Sequence, residues 1–279
     1  MQERFDAVIV AGYDRNRQVP DPLTAQSGKP HKVLIKIAGQ PMIWHVVQAL
    51  ATSQTVSRIV IVGLGPEDGV DFGCPVHYLP NQGTMLDNIV HGYAWLAQTQ
   101  PRDQYALLLT GDIPLLRGEM VDWFVRACHP LQKDVYWGIV EKQTMEATFP
   151  GSKRSYLRTI EGQFCSGDLF LGTIEAALGR QALIQTLIDN RKNIFQQLRL
   201  LGLPVLLKFL TRRLRLQDVA NVVERALGLR GGPVVLPFAE VGMDVDKPHQ
   251  LAQVLTYLAR NFDATASASQ DNAANLPHA

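Results

Sequence analysis

The sequence predicts an α/β domain: a mostly parallel sheet with helices on both faces, interrupted by a helical insertion. Three observations carry this. Short apolar runs alternate with amphipathic stretches of helical length across residues 6–140, the rhythm of strands joined by crossover helices. After Glu141 the rhythm breaks into a polar stretch and then successive helical patterns as far as Leu227. Sheet character returns at residues 233–238 and leads into a last helix.

The elements follow in order. Residues 7–10 form a β-branched, apolar first strand that ends in Ala11-Gly12 and spills into a polar loop with Arg15, Arg17 and Lys29. Such a strand delivers backbone amides and cations to an anion at its carboxyl end. Lys32-Val33-Leu34 then leads to a helix opening at Pro41 and running over 42–51. Strands are expected at 58–62, 76–79, 105–110 and 135–140, and helices at 84–97 and 119–128. In such sheets ligands bind at the carboxyl ends of the strands. Residues 142–164 are polar, with Pro150-Gly151 and a Gly162 turn, which suits a hairpin or lid. Residues 174–227 read as helices punctuated by Gly179, Gly202-Leu203-Pro204 and Gly228. A single domain is expected over 1–262, with 142–228 as lid and insertion. The tail 263–279 is alanine, serine, asparagine and glutamine with almost nothing to bury, and is expected to be disordered.

Composition narrows the function classes. The 279 residues suffice for one large domain with a full core. A net charge of +1 supplies no global field toward nucleic acid, so affinity for phosphate must come from local clusters. Cys74, Cys128 and Cys165 form no C-x-x-C pair and have no zinc spacing, which fits a reducing compartment. The amino terminus enters a strand at once and no stretch reaches the length of a spanning helix, so the expected location is cytoplasmic.

Neither G-x-G-x-x-G nor G-x-x-x-x-G-K-[ST] occurs, which disfavours those two nucleotide folds. Three other patterns stand out. Leu107-Leu108-Leu109-Thr110-Gly111-Asp112-Ile113-Pro114 is an apolar strand that ends in a carboxylate. Asp112 there suits a hard cation such as Mg²⁺ shared with a nucleotide, or caps the following helix. In Asp244-Val245-Asp246-Lys247-Pro248, alternate residues of an extended segment point the same way, so Asp244 and Asp246 present two carboxylates to one cation. The alternative is a capping aspartate ahead of Pro248. Asn81-Gln82-Gly83-Thr84 forms a turn, with Thr84 and Asp87 as a capping pair.

The Ala11-Gly12 loop with its arginines, Lys32 before Val33-Leu34, Gly39-Gln40-Pro41-Met42-Ile43 and Gly111-Asp112-Ile113-Pro114-Leu115 together make a resemblance. The chain resembles the nucleotidyltransferases of the molybdenum-cofactor guanylyltransferase and sugar-phosphate nucleotidylyltransferase type. The resemblance covers residues 6–118 and 233–259 and implies a GT-A-like fold. It implies Mg²⁺-dependent transfer of a nucleoside monophosphate from a nucleoside triphosphate to a phosphorylated sugar, polyol or cofactor, with release of pyrophosphate. By the same resemblance Ala11 and Gly12 wrap the triphosphate, and Lys32 with Arg15 or Arg17 neutralises it and the leaving pyrophosphate. Gln82, Gly83 and Thr84 belong to the base-recognition loop. Asp112 and Asp246, with Asp244, hold Mg²⁺. Gly167 and Asp168 meet acceptor hydroxyls, while Lys153, Arg154 and Arg158 hold the acceptor phosphate. The chain differs from the family pattern at Tyr13, where a second glycine is usual, and in a loop lengthened around Pro20 and Pro22.

Two other readings are set beside this one. A glycosyltransferase of the same fold would use Asp244-Val245-Asp246 as its D-x-D motif, but that motif belongs mid-chain. A non-catalytic nucleotide-binding relative would have no need of Asp112, Asp246 and Lys32. Residues 191–215 carry seven cations and no acid, interleaved with leucines. These leucines are expected to pack on the core or across a homodimer, although such a stretch also suits an anionic membrane surface.

Overall fold

The computed structural model describes residues 3–12, 22–27, 31–179, 181 and 203–274. Arg15, Arg17, Lys29 and residues 182–202 of the expected insertion lie outside this set.

The first strand, β1 (Phe5–Val10), is buried along its whole length. Phe5, Ala7 and Ile9 enter one apolar cluster and Val8 and Val10 the other, so the strand is covered on both faces. After helix α1 (Pro22–Ser27) and the two-residue strands β2 (Lys36–Ile37) and β3 (Gln40–Pro41) comes helix α2 (Met42–Thr52). Then follow β4 (Val56–Val62), β5 (His77–Leu79), α3 (Met85–Leu96), β6 (Tyr105–Thr110), α4 (Gly118–Cys128) and β7 (Val135–Glu141). From α2 onward these lie within a few residues of the stretches expected from periodicity, whereas α1, β2 and β3 are not among those stretches.

The polar stretch after β7 is less simple than a hairpin. It opens with a helix, α5 (Lys142–Thr148), and only then turns through Gly162 between β8 (Leu157–Arg158) and β9 (Gln163–Thr173). Beyond lie α6 (Ile174–Gly179), α7 (Leu203–Leu210), α8 (Leu216–Leu227), β10 (Gly231–Leu236) and α9 (Pro248–Ala274). Helix α9 runs into the stretch expected to be a disordered tail from residue 263, as far as Ala274. Alanine is the best helix former, and neither glycine nor proline interrupts residues 249–274. Despite its length, no helix among the described residues is long and apolar enough to cross a membrane.

The sheet order is β10-β7-β9-β6-β1-β4-β5, with β8 beside β9. Every neighbouring pair is parallel except those made by β9, which runs antiparallel to β6, β7 and β8. The mostly parallel sheet is therefore present, but its central antiparallel strand is hidden in the sequence by Ser166-Gly167-Asp168. The pairing of β7 with β9 shifts register between Trp137 and Ile139, opposite that glycine-containing stretch. Residues of α2 and α4 fill the cluster on one face, and α3 with Ile174 of α6 that on the other. The described part of the insertion has a small core of its own, Val205, Leu214 and Val222, against Leu157 of the hairpin.

Candidate active site

The chain leaves β1 toward β4 on one side and later adds β6 on the other, which creates a switch point at the carboxyl ends of β1 and β6. There Ala11 N donates to Val62 O (2.9 Å) and Gly111 N to Val10 O (3.1 Å). Gly12 packs against the next loops with no room for a side chain. A Cβ on it would lie 2.4 Å from both Asn81 Oδ1 and Asn88 Nδ2, well inside van der Waals contact.

That crowding couples Gly12 to the expected base-recognition loop. The buried Asn88 accepts from Gln82 N (2.7 Å) and donates to Asn81 Oδ1 (2.8 Å). Thr84 caps α3, its hydroxyl accepting from Asp87 N at 3.1 Å. Gln82 is exposed and its amide donates back to Pro80 O at 3.0 Å. Asn88 lies beyond the Gln82-Gly83-Thr84 segment, and its signal in the sequence is a second asparagine one turn into the helix behind a Gly-Thr turn.

The carboxylates come together across more than 130 residues of chain because one backbone bond ties their loops: Val245 N donates to Asp112 O at 2.9 Å. Val241, Met243 and Val245 are fully buried, which turns the alternate residues Asp244 and Asp246 to the opposite side. Carboxylate oxygens of Asp112, Asp244 and Asp246 lie within 4.8 Å of one another. Asp112 does not cap α4; that helix starts beyond Arg117, with no side-chain cap.

Among the described residues two cations face the cluster. Lys32, from the short turn Lys32–Leu34, donates to Asp112 and, at 2.6 Å, to Asp246. Arg154 pairs with Asp244. Burial alone would depress the lysine, but the carboxylates of Asp112 and Asp246 outweigh it and hold the ammonium above its ordinary pKa. Asp244 is pushed up to about 6, chiefly by burial, with Arg154 opposing and the neighbouring carboxylates adding to the rise. Asp168 on β9 immediately precedes Leu169, the partner of Leu109 near the carboxyl end of the antiparallel β6, so it stands at the same edge. Loss of solvent and the nearby Asp244 and Asp112 raise it well above the usual carboxylate range.

This donor set fits a hard divalent cation. It is made of carboxylate oxygen, and Asp112 Oδ1 is buried with no hydrogen-bond partner among the described residues, an acceptor left open to a ligand.

The five residues expected at the acceptor divide. Arg154 and Asp168 belong to the carboxylate cluster. Arg158 is exposed and lines a shallow cavity of about 520 Å³ with Glu141, Lys142 and Glu146. Lys153 is exposed, with φ 55°. Gly167 is buried, and a Cβ there would press on Val241 (3.2 Å) and Leu236 (3.4 Å) of the core. Its geometry is that of a close-packed strand position.

The MobA-like NTP transferase domain matches the chain over residues 25–169, more than half of its length. The chain belongs to the MobA-like NTP transferase family. This MobA-like chain superimposes on a hypothetical transferase from Thermus thermophilus with a TM-score of 0.74 at 32% identity, covering 89% of this chain and 99% of that one. It is 33% identical over 98 residues to the bifunctional protein GlmU of Alcanivorax borkumensis, covering 34% of this chain and 21% of that protein. The match to GlmU of Listeria monocytogenes likewise covers 26% of that protein; the chain thus spans about a quarter of the curated relatives it matches. The fold recurs in a CMP:2-keto-3-deoxy-manno-octonic acid synthetase complexed with CTP, with a TM-score of 0.54 at 16% identity over 93% of this chain and 100% of that one. Membership of this family makes the domain an NTP transferase domain.

Proposed function

We propose that the chain transfers a nucleoside monophosphate from a nucleoside triphosphate to a phosphorylated small-molecule acceptor, a sugar, polyol or cofactor phosphate, releasing pyrophosphate. The observation that carries this reading is the cluster of Asp112, Asp244 and Asp246 beside Lys32, at the switch point of a sheet of this family.

An oxygen of the acceptor phosphate attacks the α-phosphorus and forms the new P–O bond. The bond from the α-phosphorus to the bridging oxygen breaks, and its electron pair leaves with pyrophosphate. The nucleophile is already anionic, so catalysis rests on positioning and on charge neutralisation. Asp112, Asp244 and Asp246 would hold Mg²⁺, which supplies Lewis-acid polarisation of the phosphoryl oxygens and screens their charge. Ala11 and Gly12 present backbone to the triphosphate, Lys32 steadies its developing negative charge with Arg15 or Arg17, and Gln82, Gly83 and Thr84 flank the base. In this reading Arg154 and Asp168, beside the carboxylates, meet the acceptor, and Lys153 and Arg158 serve its phosphate. The NTP transferase family and the fold shared with a CTP-bound synthetase support this assignment.

The test is pyrophosphate release from each of the four nucleoside triphosphates with Mg²⁺, against a panel of sugar, polyol and cofactor phosphates. At least one pair should turn over, and Asp112→Ala should abolish that turnover. No release with any pair, or equal release from the variant, would sink the assignment.

A further inference from the structure

The reading of the cleft leaves one face of the insertion unused. On α7, Leu207 and Leu210 are 51% and 56% exposed, and Ile160 at the tip of the β8–β9 hairpin is 54% exposed. The tip is tied to the segment that follows α7: Ile160 N donates to Leu214 O (2.8 Å), and Leu216 N to Glu161 Oε2 (3.2 Å). The opposite side of the same turn of chain is anchored, because Val205 and Leu214 are buried with Val222. Three large apolar side chains therefore project from a segment that its own small core holds in place.

Charge surrounds them on the sequence side that follows. Arg212, Arg213 and Arg215 are exposed directly after α7. The acids nearby are engaged: Asp218 pairs with Lys208 at 2.6 Å, and Glu161 accepts from Leu216 N. Arg212 and Arg213 make no ion pair among the described residues. Apolar side chains flanked by unpaired cations match the interface of an anionic bilayer, where leucines enter the acyl boundary and arginines meet headgroup phosphates. A second copy fits poorly, since a two-fold contact through this face would gather Arg212 and Arg213 of both copies into one interface.

We infer that the face formed by Leu207, Leu210, Ile160, Arg212 and Arg213 docks the protein peripherally on membranes rich in anionic lipid. This is independent of the nucleotidyl-transfer reading: either can fail while the other stands.

The test is sedimentation of the full chain with phosphatidylcholine vesicles, with and without phosphatidylglycerol, alongside two double variants. Leu207→Ser with Leu210→Ser removes the apolar contact, and Arg212→Glu with Arg213→Glu reverses the charge. All four side chains are exposed, and circular dichroism with the thermal midpoint verifies that each variant folds. The parent should sediment with phosphatidylglycerol vesicles, weaken with salt, and not sediment with phosphatidylcholine alone. Each double variant should bind at least about tenfold more weakly. The inference is overturned by absence of phosphatidylglycerol-dependent sedimentation, by variants that bind like the parent, or by a lipid-free dimer that the leucine variant abolishes. That last outcome assigns the face to a second copy.

Discussion

Replacing Lys32 by methionine keeps the length of the side chain and removes the ammonium from among the carboxylates. In the folded protein Lys32 donates to Asp112 and Asp246, with side-chain exposures of 17% for the lysine, 14% for Asp112 and 39% for Asp246. Breaking a buried ion pair by removing one partner costs about 3–5 kcal/mol, whereas exposed pairs contribute about 0–1 kcal/mol. Lys32 with Asp112 lies near the first limit, and Asp246 must be discounted for solvent. A loss of about 2–4 kcal/mol follows, a fall in Tm of roughly 5–15 °C for a chain of this size. Mg²⁺ should then restore what the ammonium supplied. At about 100 times its Kd it stabilises a binding-competent fold by about 2.7 kcal/mol, and the response should be larger in Lys32→Met than in the parent, where the lysine already engages two of the three carboxylates. Differential scanning fluorimetry over a Mg²⁺ series measures both effects without substrate. A variant as stable as the parent in chelator, or one whose midpoint ignores Mg²⁺, would refute the reasoning.

Further outcomes are expected at Asp122, at the cysteines and at Gly12. Asp122, buried on α4, accepts from Ser53 Oγ (2.6 Å), Gln54 N (3.0 Å), Thr55 N (3.1 Å) and Thr55 Oγ1 (2.9 Å). Asp122→Ala should cost about 3 kcal/mol in urea unfolding, since the donors lose a charged acceptor together. Although burial pushes the other way, these hydrogen bonds hold the Asp122 carboxyl below its ordinary pKa. Its stabilisation is therefore present above about pH 4 and lost as pH falls through the depressed value, so Asp122→Asn should flatten the acid limb of the stability profile. Burial raises the Cys128 thiol to about 12 and the Cys165 thiol to about 11. Iodoacetamide at mildly alkaline pH should therefore label the partly exposed Cys74 first, as peptide mass spectrometry would read, and equal labelling of all three would contradict the packing. Gly12→Ala must displace Asn81 and Asn88, at a cost of about 1–3 kcal/mol of overpacking. Nucleotide affinity measured by calorimetry should fall with it, and an unchanged affinity would separate Gly12 from the nucleotide.

The strands and helices up to residue 140 were legible because their apolar periods are set by burial on both faces of one sheet. Asp112, Asp244 and Asp246 were legible for a related reason. Each lies just beyond or within an apolar alternation whose buried members, such as Val241, Met243 and Val245, dictate where the carboxylates point. What periodicity could not reveal depends on long-range pairing. Ser166-Gly167-Asp168 shows no apolar alternation, yet it lies within a strand because β6 and β7 hold it from both sides. Arg154 reads as a free cation for an acceptor phosphate, and only the fold brings it to Asp244. Likewise the alanine-rich end of the chain has little to bury, but its helix needs only intrinsic propensity and a start at Pro248.

The account stands or falls on where the α-phosphate goes. With a nucleoside triphosphate labelled at the α-phosphorus, Mg²⁺ and the acceptor phosphate that turns over, the label should appear in a nucleoside-diphosphate-linked product. Pyrophosphate should form in equal amount, and both should disappear in Asp112→Ala. Label released as free nucleoside monophosphate or diphosphate, or product formation that survives Asp112→Ala, would contradict it.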